Sequence, residues 1–361
     1  TLTVLDKLQA LAREQLAGRD GSVVALDPRT GAILAMYSNP TFDPNTISSH
    51  NLALDQANYK ALTALPGGVL APAAYRQTWF PGSTFKVITS SGVYDHNPAL
   101  ATKTYPYLSA LPLPQTTNEL HNFGGEVCGG QLPHLFTVSC DTGFGQIGLD
   151  LGGAALSLEA NAFGFNQVPP IDLPFAAKSY FPPAASFVLD QPGLAYSAIG
   201  QQNVESTPLQ MALVASAIAD GGRIMTPHIL DHVTNSQNQI VSTYQAKVWK
   251  QVTSAATAAQ MTQLMLSVVN SPDGTGTLAA IPGLQVAGKT GTAQTGTGKI
   301  DAWFIAFAPA NNPTIAVSVL LPNQPSQNEY QGGTLAAPIA KAMIEAYLSG
   351  PGAPAQSSGA P

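Results

Sequence analysis

The sequence predicts an α/β chain of the α+β type, in which an antiparallel sheet is flanked by helices and interrupted by an inserted all-helical subdomain. Three observations predict it: strand-like runs lie at both ends, helical patterns lie between and beside them, and no regular βα alternation marks a parallel sheet.

The elements follow in chain order. Thr3 to Leu16 carries Leu5, Leu8, Leu11 and Leu16 near one helical face and reads as an opening amphipathic helix. Gly21 to Leu26 and Ala32 to Tyr37 are apolar, β-branched runs joined by Asp27-Pro28-Arg29-Thr30-Gly31, which predicts a hairpin. Ser38 to Phe80 has weak periodicity and reads as a long irregular connection with short helical pieces. Thr84 to Val93 reads as a helix with Ser83 and Lys86 in its first turn. Further on, Thr207, Pro208 and Gln210 fit an N-cap, a first-turn proline and a reciprocal capping residue ahead of Met211 to Ala219, with Gly221 and Gly222 closing the helix. Ile229 to Tyr244 reads as a second hairpin turning at Asn235 to Asn238. Gln285 to Ala293, Ala302 to Ala308 and Thr314 to Leu321 read as three strands, and Leu335 to Leu348 as a helix. The tail after Gly350 holds only Pro, Gly, Ala, Ser and Gln, a composition of disorder.

Composition excludes several functions. A net charge of −6 and the absence of a dense Lys/Arg stripe argue against a nucleic-acid partner. No apolar run is long enough to span a bilayer, and the start at Thr1 without a signal-peptide pattern suggests a processed chain. Cys128 and Cys140 lack metal-ligand spacing, so neither a metal nor another cofactor is expected. In an exported protein the two thiols could pair; in a cytosolic one they would be small buried residues.

Two motifs carry chemistry. A serine hydroxyl needs a base, and an amine at i+3 on a helix lies on the same face, as Ser83 and Lys86 do. A helix N-terminus there would disfavour an ammonium and offer N–H groups to an oxyanion. Lys289-Thr290-Gly291-Thr292, on a predicted strand, sets a cation and two hydroxyls beside a glycine that lets a ligand backbone approach, a carboxylate site. Each motif alone has a bland reading, an ordinary helix surface for the first and an edge strand with a glycine bulge for the second.

In this order the two motifs resemble those of the penicillin-recognising family, which includes penicillin-binding proteins, D-alanyl-D-alanine peptidases and class A β-lactamases. Ser139-Cys140-Asp141 stands where the family has Ser-x-Asn, with a carboxylate in place of the amide. Literal matches at Ser49-His50-Asn51, Ser236-Gln237-Asn238 and Ser326-Gln327-Asn328 fall outside the family order or in a predicted turn and are rejected. Gly21 to Asp27, Gly31 to Met36, Phe42 to Asn45, Phe80 to Lys86, Gly200-Gln201, Thr207 to Ala212 and Ala302-Trp303-Phe304 each resemble segments of the class B transpeptidases, nearest a mycobacterial group.

The resemblance implies one transpeptidase domain over about 1–349, with an α/β subdomain from about 1–75 and 250–349, a helical subdomain at about 76–249 and a disordered tail at 350–361. It implies catalytic Ser83, Lys86 and Ser139, with Asp141, Lys289, Thr290, Gly291 and Thr292 at the substrate and the Ser83 and Thr292 N–H groups as the oxyanion hole. The implied reaction cross-links peptidoglycan stem peptides ending in D-Ala-D-Ala, with release of D-Ala and covalent inhibition by β-lactams. Implied too are a single-pass N-terminal membrane anchor and further module absent from this chain, the extracytoplasmic face of a bacterial plasma membrane, and division-protein partners. The alternatives are a D,D-carboxypeptidase, a weak β-lactamase or a non-catalytic β-lactam-binding scaffold. The β-lactamase pattern Glu-x-x-Leu-Asn is missing: Glu159 is followed by Ala160-Asn161-Ala162. Arg76, Glu205 and Trp303 read as loop salt bridges or groove packing.

Overall fold

The computed structural model of the chain describes residues 1–65, 67–326 and 331–350. Helix α1 (Asp6–Gln15) leads into the hairpin of β1 (Gly21–Leu26) and β2 (Ile33–Asn39). Helices α2 (Leu52–Thr63) and α3 (Ala73–Arg76) follow, and a 3₁₀ turn at Gly82–Phe85 runs into α4 (Lys86–His96). Strands β3 (Tyr105–Leu108), β4 (Ala110–Pro112), β5 (Glu119–His121) and β6 (Cys128–Gly130) pair as β3–β6 and β4–β5. Helices α5 (Leu132–Thr137), α6 (Asp141–Leu151), α7 (Gly153–Ala162), α8 (Gln191–Ala198) and α9 (Pro208–Ala219) come next. Strands β7 (Arg223–Met225), β8 (His232–Thr234), β9 (Ile240–Thr243) and β10 (Val248–Gln251) pair as β7–β10 and β8–β9. The chain continues with α10 (Ala255–Asn270), β11 (Ala287–Gln294), β12 (Lys299–Ala308), β13 (Ile315–Pro325) and α11 (Ala337–Leu348).

Among the described residues one antiparallel five-stranded sheet has the order β11-β12-β13-β1-β2. Its centre joins the two ends of the chain, with Val23 opposite Val319 and Ala25 opposite Val317. Strand alternation divides the core in two. Val23, Ala25, Val317 and Val319 pack with Leu8 of α1 and Met343 and Ile344 of α11. Val24, Leu26, Ala316 and Leu320 join Leu209 and Leu213 of α9 and Met261 and Met265 of α10. Helix α9 is buried from Pro208 to Ile218, as an all-round apolar sequence demands.

Three local expectations need correction. Residues 52–63 form a full helix within the segment read as irregular; none of its residues is buried, so no apolar stripe announced it. The Thr207 hydroxyl does accept from Gln210 N–H, but the Gln210 side chain donates to Phe163 O at 2.7 Å instead of reciprocating, so there is no capping box. The insertion is not all helical, because paired strands of three or four residues stand among its helices. Such strands are too short to show a period of two. The predicted disordered tail lies, beyond Gly350, outside the described residues, as do Gln327 and Asn328 of one rejected motif.

Candidate active site

The nucleophile candidate is held by a backbone that touches the sheet. Gly82 sits at φ +52, and a Cβ there would come within 3.0–3.1 Å of Ala293, while one on Gly291 would meet Pro81 O at 2.9 Å. Turn and strand therefore meet main chain to main chain, which only glycines permit. Gly82 N–H donates to Gly200 O at 2.9 Å, and Trp303 Nε1 donates to Phe80 O at 2.9 Å. Ser83 lies in this 3₁₀ turn and Lys86 begins α4, whereas a single helix was expected. Side chains three apart eclipse in a 3₁₀ turn, and the Ser83 and Lys86 side chains share Asp141 Oδ1 as a partner.

Beneath Ser83 two lysines converge on one loop. Lys86 and Lys289 are fully buried. Lys86 Nζ donates to Asp141 Oδ1 at 2.6 Å and to Ser139 O at 2.7 Å, and lies 3.4 Å from Ser139 Oγ. Lys289 Nζ donates to Ser139 Oγ at 2.8 Å and Thr290 O at 3.2 Å. The hydroxyl of Ser83 has Asp141 Oδ1 at 3.5 Å. Ser139 can offer its carbonyl to one amine and its hydroxyl to the other because it adopts the left-handed conformation, φ 60. For a residue with a Cβ this costs about 1–2 kcal/mol. Next to it, Cys140 is disulfide-bonded to Cys128 of β6, fixing the start of α6.

Burial drives both amines toward neutrality. It lowers the Lys86 pKa, opposed by the charge of Asp141 and its hydrogen bond. Lys289 is pushed well below the usual lysine value, by burial first and then by the charge of Lys86, again opposed by Asp141. One carboxylate thus serves two desolvated amines, an arrangement suited to taking and returning a proton.

Above this cluster runs a cleft lined by Ser83, Asp141 and Thr292. One side extends past Ser139, Thr275 and Thr290, where the two threonine hydroxyls are 2.6 Å apart. The other passes Glu119, His121, Tyr196, Gln201 and Gln294. The structure thus brings together Ser83, Lys86, Ser139, Asp141, Lys289, Thr290 and Thr292, with Gly291 packed behind the strand against Pro81 O. Thr275, Glu119, His121 and Tyr196 escaped the sequence reading, since their only signal is position in space.

The remaining candidates lie elsewhere or act as supports. Glu159 is on α7, beside His96 Nε2 at 3.0 Å. Arg76 forms no salt bridge with a described residue; it lies over the Phe175 ring and donates to Leu70 O. Glu205 accepts from Thr78 Oγ1. Asn51 caps α2, and Ser236 to Asn238 form the turn between β8 and β9.

Residues 21–345 match the penicillin binding protein transpeptidase domain. The chain is 39% identical over 341 residues to the peptidoglycan D,D-transpeptidase PbpA of Mycobacterium tuberculosis, spanning 91% of this chain and 67% of that protein. It is 30% identical over 373 residues to the peptidoglycan D,D-transpeptidase MrdA of Acinetobacter baumannii, spanning 94% and 52% respectively. The solved ceftriaxone acyl-enzyme complex of penicillin-binding protein A from M. tuberculosis superposes with a TM-score of 0.88 at 36% identity, covering 95% of this chain and 78% of that one.

Proposed function

The chain belongs to the penicillin-binding protein transpeptidase family, and on that premise we propose that it is a peptidoglycan D,D-transpeptidase working through a Ser83 acyl-enzyme. The observation that carries the proposal is that Ser83 and Ser139 line one cleft while two buried amines beneath it both bond to Ser139.

Lys86 acts as base in its neutral form, which burial and the N-terminus of α4 favour. It takes the Ser83 proton as Oγ bonds to the carbonyl carbon of the penultimate D-Ala. Asp141 stabilises the ammonium that results. The peptide bond to the terminal D-Ala then breaks, and Ser139 passes the proton to the departing amine. An amine of a second stem peptide attacks the ester, freeing Ser83 and closing the cross-link. The Ser83 and Thr292 N–H groups form the oxyanion hole. Lys289, Thr290 and Thr292 receive the donor's terminal carboxylate. β-Lactams present the same carbonyl and carboxylate and acylate Ser83; acyl-enzymes with ceftriaxone and penicillin G are solved for the mycobacterial relative.

Glu159 stands outside the cleft residues, which favours slow deacylation over a β-lactamase. The proposal places the domain at the extracytoplasmic face of the plasma membrane, where the disulfide is at home, in wall synthesis alongside division proteins. The single-pass anchor in this proposal rests on other sequence, since among the described residues no helix is long and apolar enough to cross a membrane.

Intact-mass measurement after penicillin, with the adduct mapped by digestion, tests the nucleophile: one adduct on Ser83, absent from Ser83→Ala, is expected. A lipid-linked stem peptide assayed with and without an acceptor amine tests the acceptor. Cross-linked product is expected, and release of D-Ala to water alone would make the enzyme a carboxypeptidase.

A further inference from the structure

Alternate residues of an antiparallel strand turn their backbone N–H and C=O toward the same neighbour. Thr295 N–H donates to Lys299 O, so the odd-numbered residues of β11 face β12. Thr290, Thr292 and Gln294 accordingly direct their backbone groups to the open edge of the sheet. Such an edge is a template for an extended peptide.

Beyond Thr292 that edge is already taken. The Gln201 side chain accepts from Gln294 N–H at 2.8 Å and donates to Gln294 O at 3.2 Å, its oxygen and nitrogen assigned by the groups they face. On the other side Thr290 O accepts from Lys289. Thr292, next to Ser83 in the cleft, lies between the two. Gln201 is also held in place. Its own N–H donates to Tyr196 O at 3.0 Å, and Gly200, at φ +74, abuts the nucleophile turn so closely that a Cβ would lie 2.3 Å from Gly82 O.

Resting on the function proposed above, the donor places its carboxylate at Lys289 and Thr290 and its scissile carbonyl at Ser83. It then runs antiparallel to β11, and its upstream residues reach Gln294 next. We propose that Gln201 is a specificity-determining positioning residue. By occupying the strand edge at Gln294 it confines the donor to one pairing register, at Thr292. Upstream residues are turned off the sheet toward Glu119, His121 and Tyr196. Without this block a long donor can also pair two residues further along, with its carbonyl away from Ser83, and that bound form is unproductive.

The test compares two acyl donors, an N-acyl-D-alanyl thiolester of mercaptoacetate and the same thiolester extended upstream by a dipeptide. In Gln201→Ala the kcat ratio of long to short donor falls about fivefold, with a parallel fall in KM for the long donor. Gln201→Glu, which keeps the acceptor and loses the donor group when ionised, gives an intermediate ratio and carries the test should Gln201→Ala unfold. Ratios within twofold of wild type in both folded variants would overturn the inference alone. Failure of the wild type to form an acyl-enzyme from either donor would overturn the underlying function.

Discussion

Lys86 Nζ and Asp141 Oδ1 are 2.6 Å apart, and the same carboxylate oxygen lies 3.5 Å from Ser83 Oγ. The carboxylate that replaces the expected amide is therefore the charge partner of the proposed base. Asp141→Asn removes the group that favours the ammonium, so the Lys86 pKa falls further. The limb of the acylation pH profile that reports Lys86 deprotonation moves to lower pH, by about one unit or more. Stopped-flow acylation by a fluorescent penicillin from pH 5 to 10 measures it.

Lys289 is a buried amine whose folded pKa lies well below that of the unfolded chain. The unfolded state binds more protons, so this group makes stability rise with pH until the unfolded value near 10.5 is reached. Lys289→Met should raise Tm at pH 7 and flatten that rise. Acylation by carboxylate-bearing β-lactams should fall about 10²-fold, because a hydrogen bond to the ligand's charged carboxylate is lost. Thermal melts at several pH values, with acylation rates, check both halves.

For Glu159 the sign is opposite. Burial, with the nearby charge of Asp95, raises its pKa to about 9, and Oε1 has no hydrogen-bond partner. The folded state holds the proton between the ordinary 4.5 and about 9, so this group lowers stability as pH rises through that window. Glu159→Gln keeps a hydrogen-bond donor for His96 and cannot ionise. Its stability relative to wild type, from urea unfolding at pH 5, 7 and 9, should grow across the series.

The Cys128–Cys140 bond closes a loop of 12 residues' separation next to Ser139 and Asp141. Cys128→Ala/Cys140→Ala should lose about 3 kcal/mol of stability. Acylation should slow as well, since the strained Ser139 backbone loses its neighbouring anchor. Chemical denaturation of the variant reads the first, its acylation rate by a fluorescent penicillin reads the second, and mass spectrometry of the parent under non-reducing conditions checks the bond itself.

What was legible in the sequence depended on whether the signal was local. The hairpin of β1 and β2 and strands β11 to β13 showed because apolar runs end at turn residues such as Asp27-Pro28 and Asn311-Asn312-Pro313. Helix α2 did not, because its Leu52, Leu54 and Tyr59 face solvent and the pattern carries no buried stripe. At the site, the spacing of Ser83 and Lys86 is a local fact. The sharing of Ser139 by Lys86 and Lys289 is a tertiary fact, spanning 53 and 150 residues. Gln201 stood out only as part of a resembling segment, and its grip on Gln294 depends on the loop before α9 meeting the end of β11.

The central pairing of β1 with β13 joins residues 22–26 to 316–320. A ribosome makes the first of these strands long before its partner. The sheet that carries β11 behind Ser83 cannot close until the last strand has emerged. Partially synthesised chains would expose the edge of β1 and leave Ser83 without its sheet, so activity and protection from aggregation should arrive together, late, and only after the whole domain has been made.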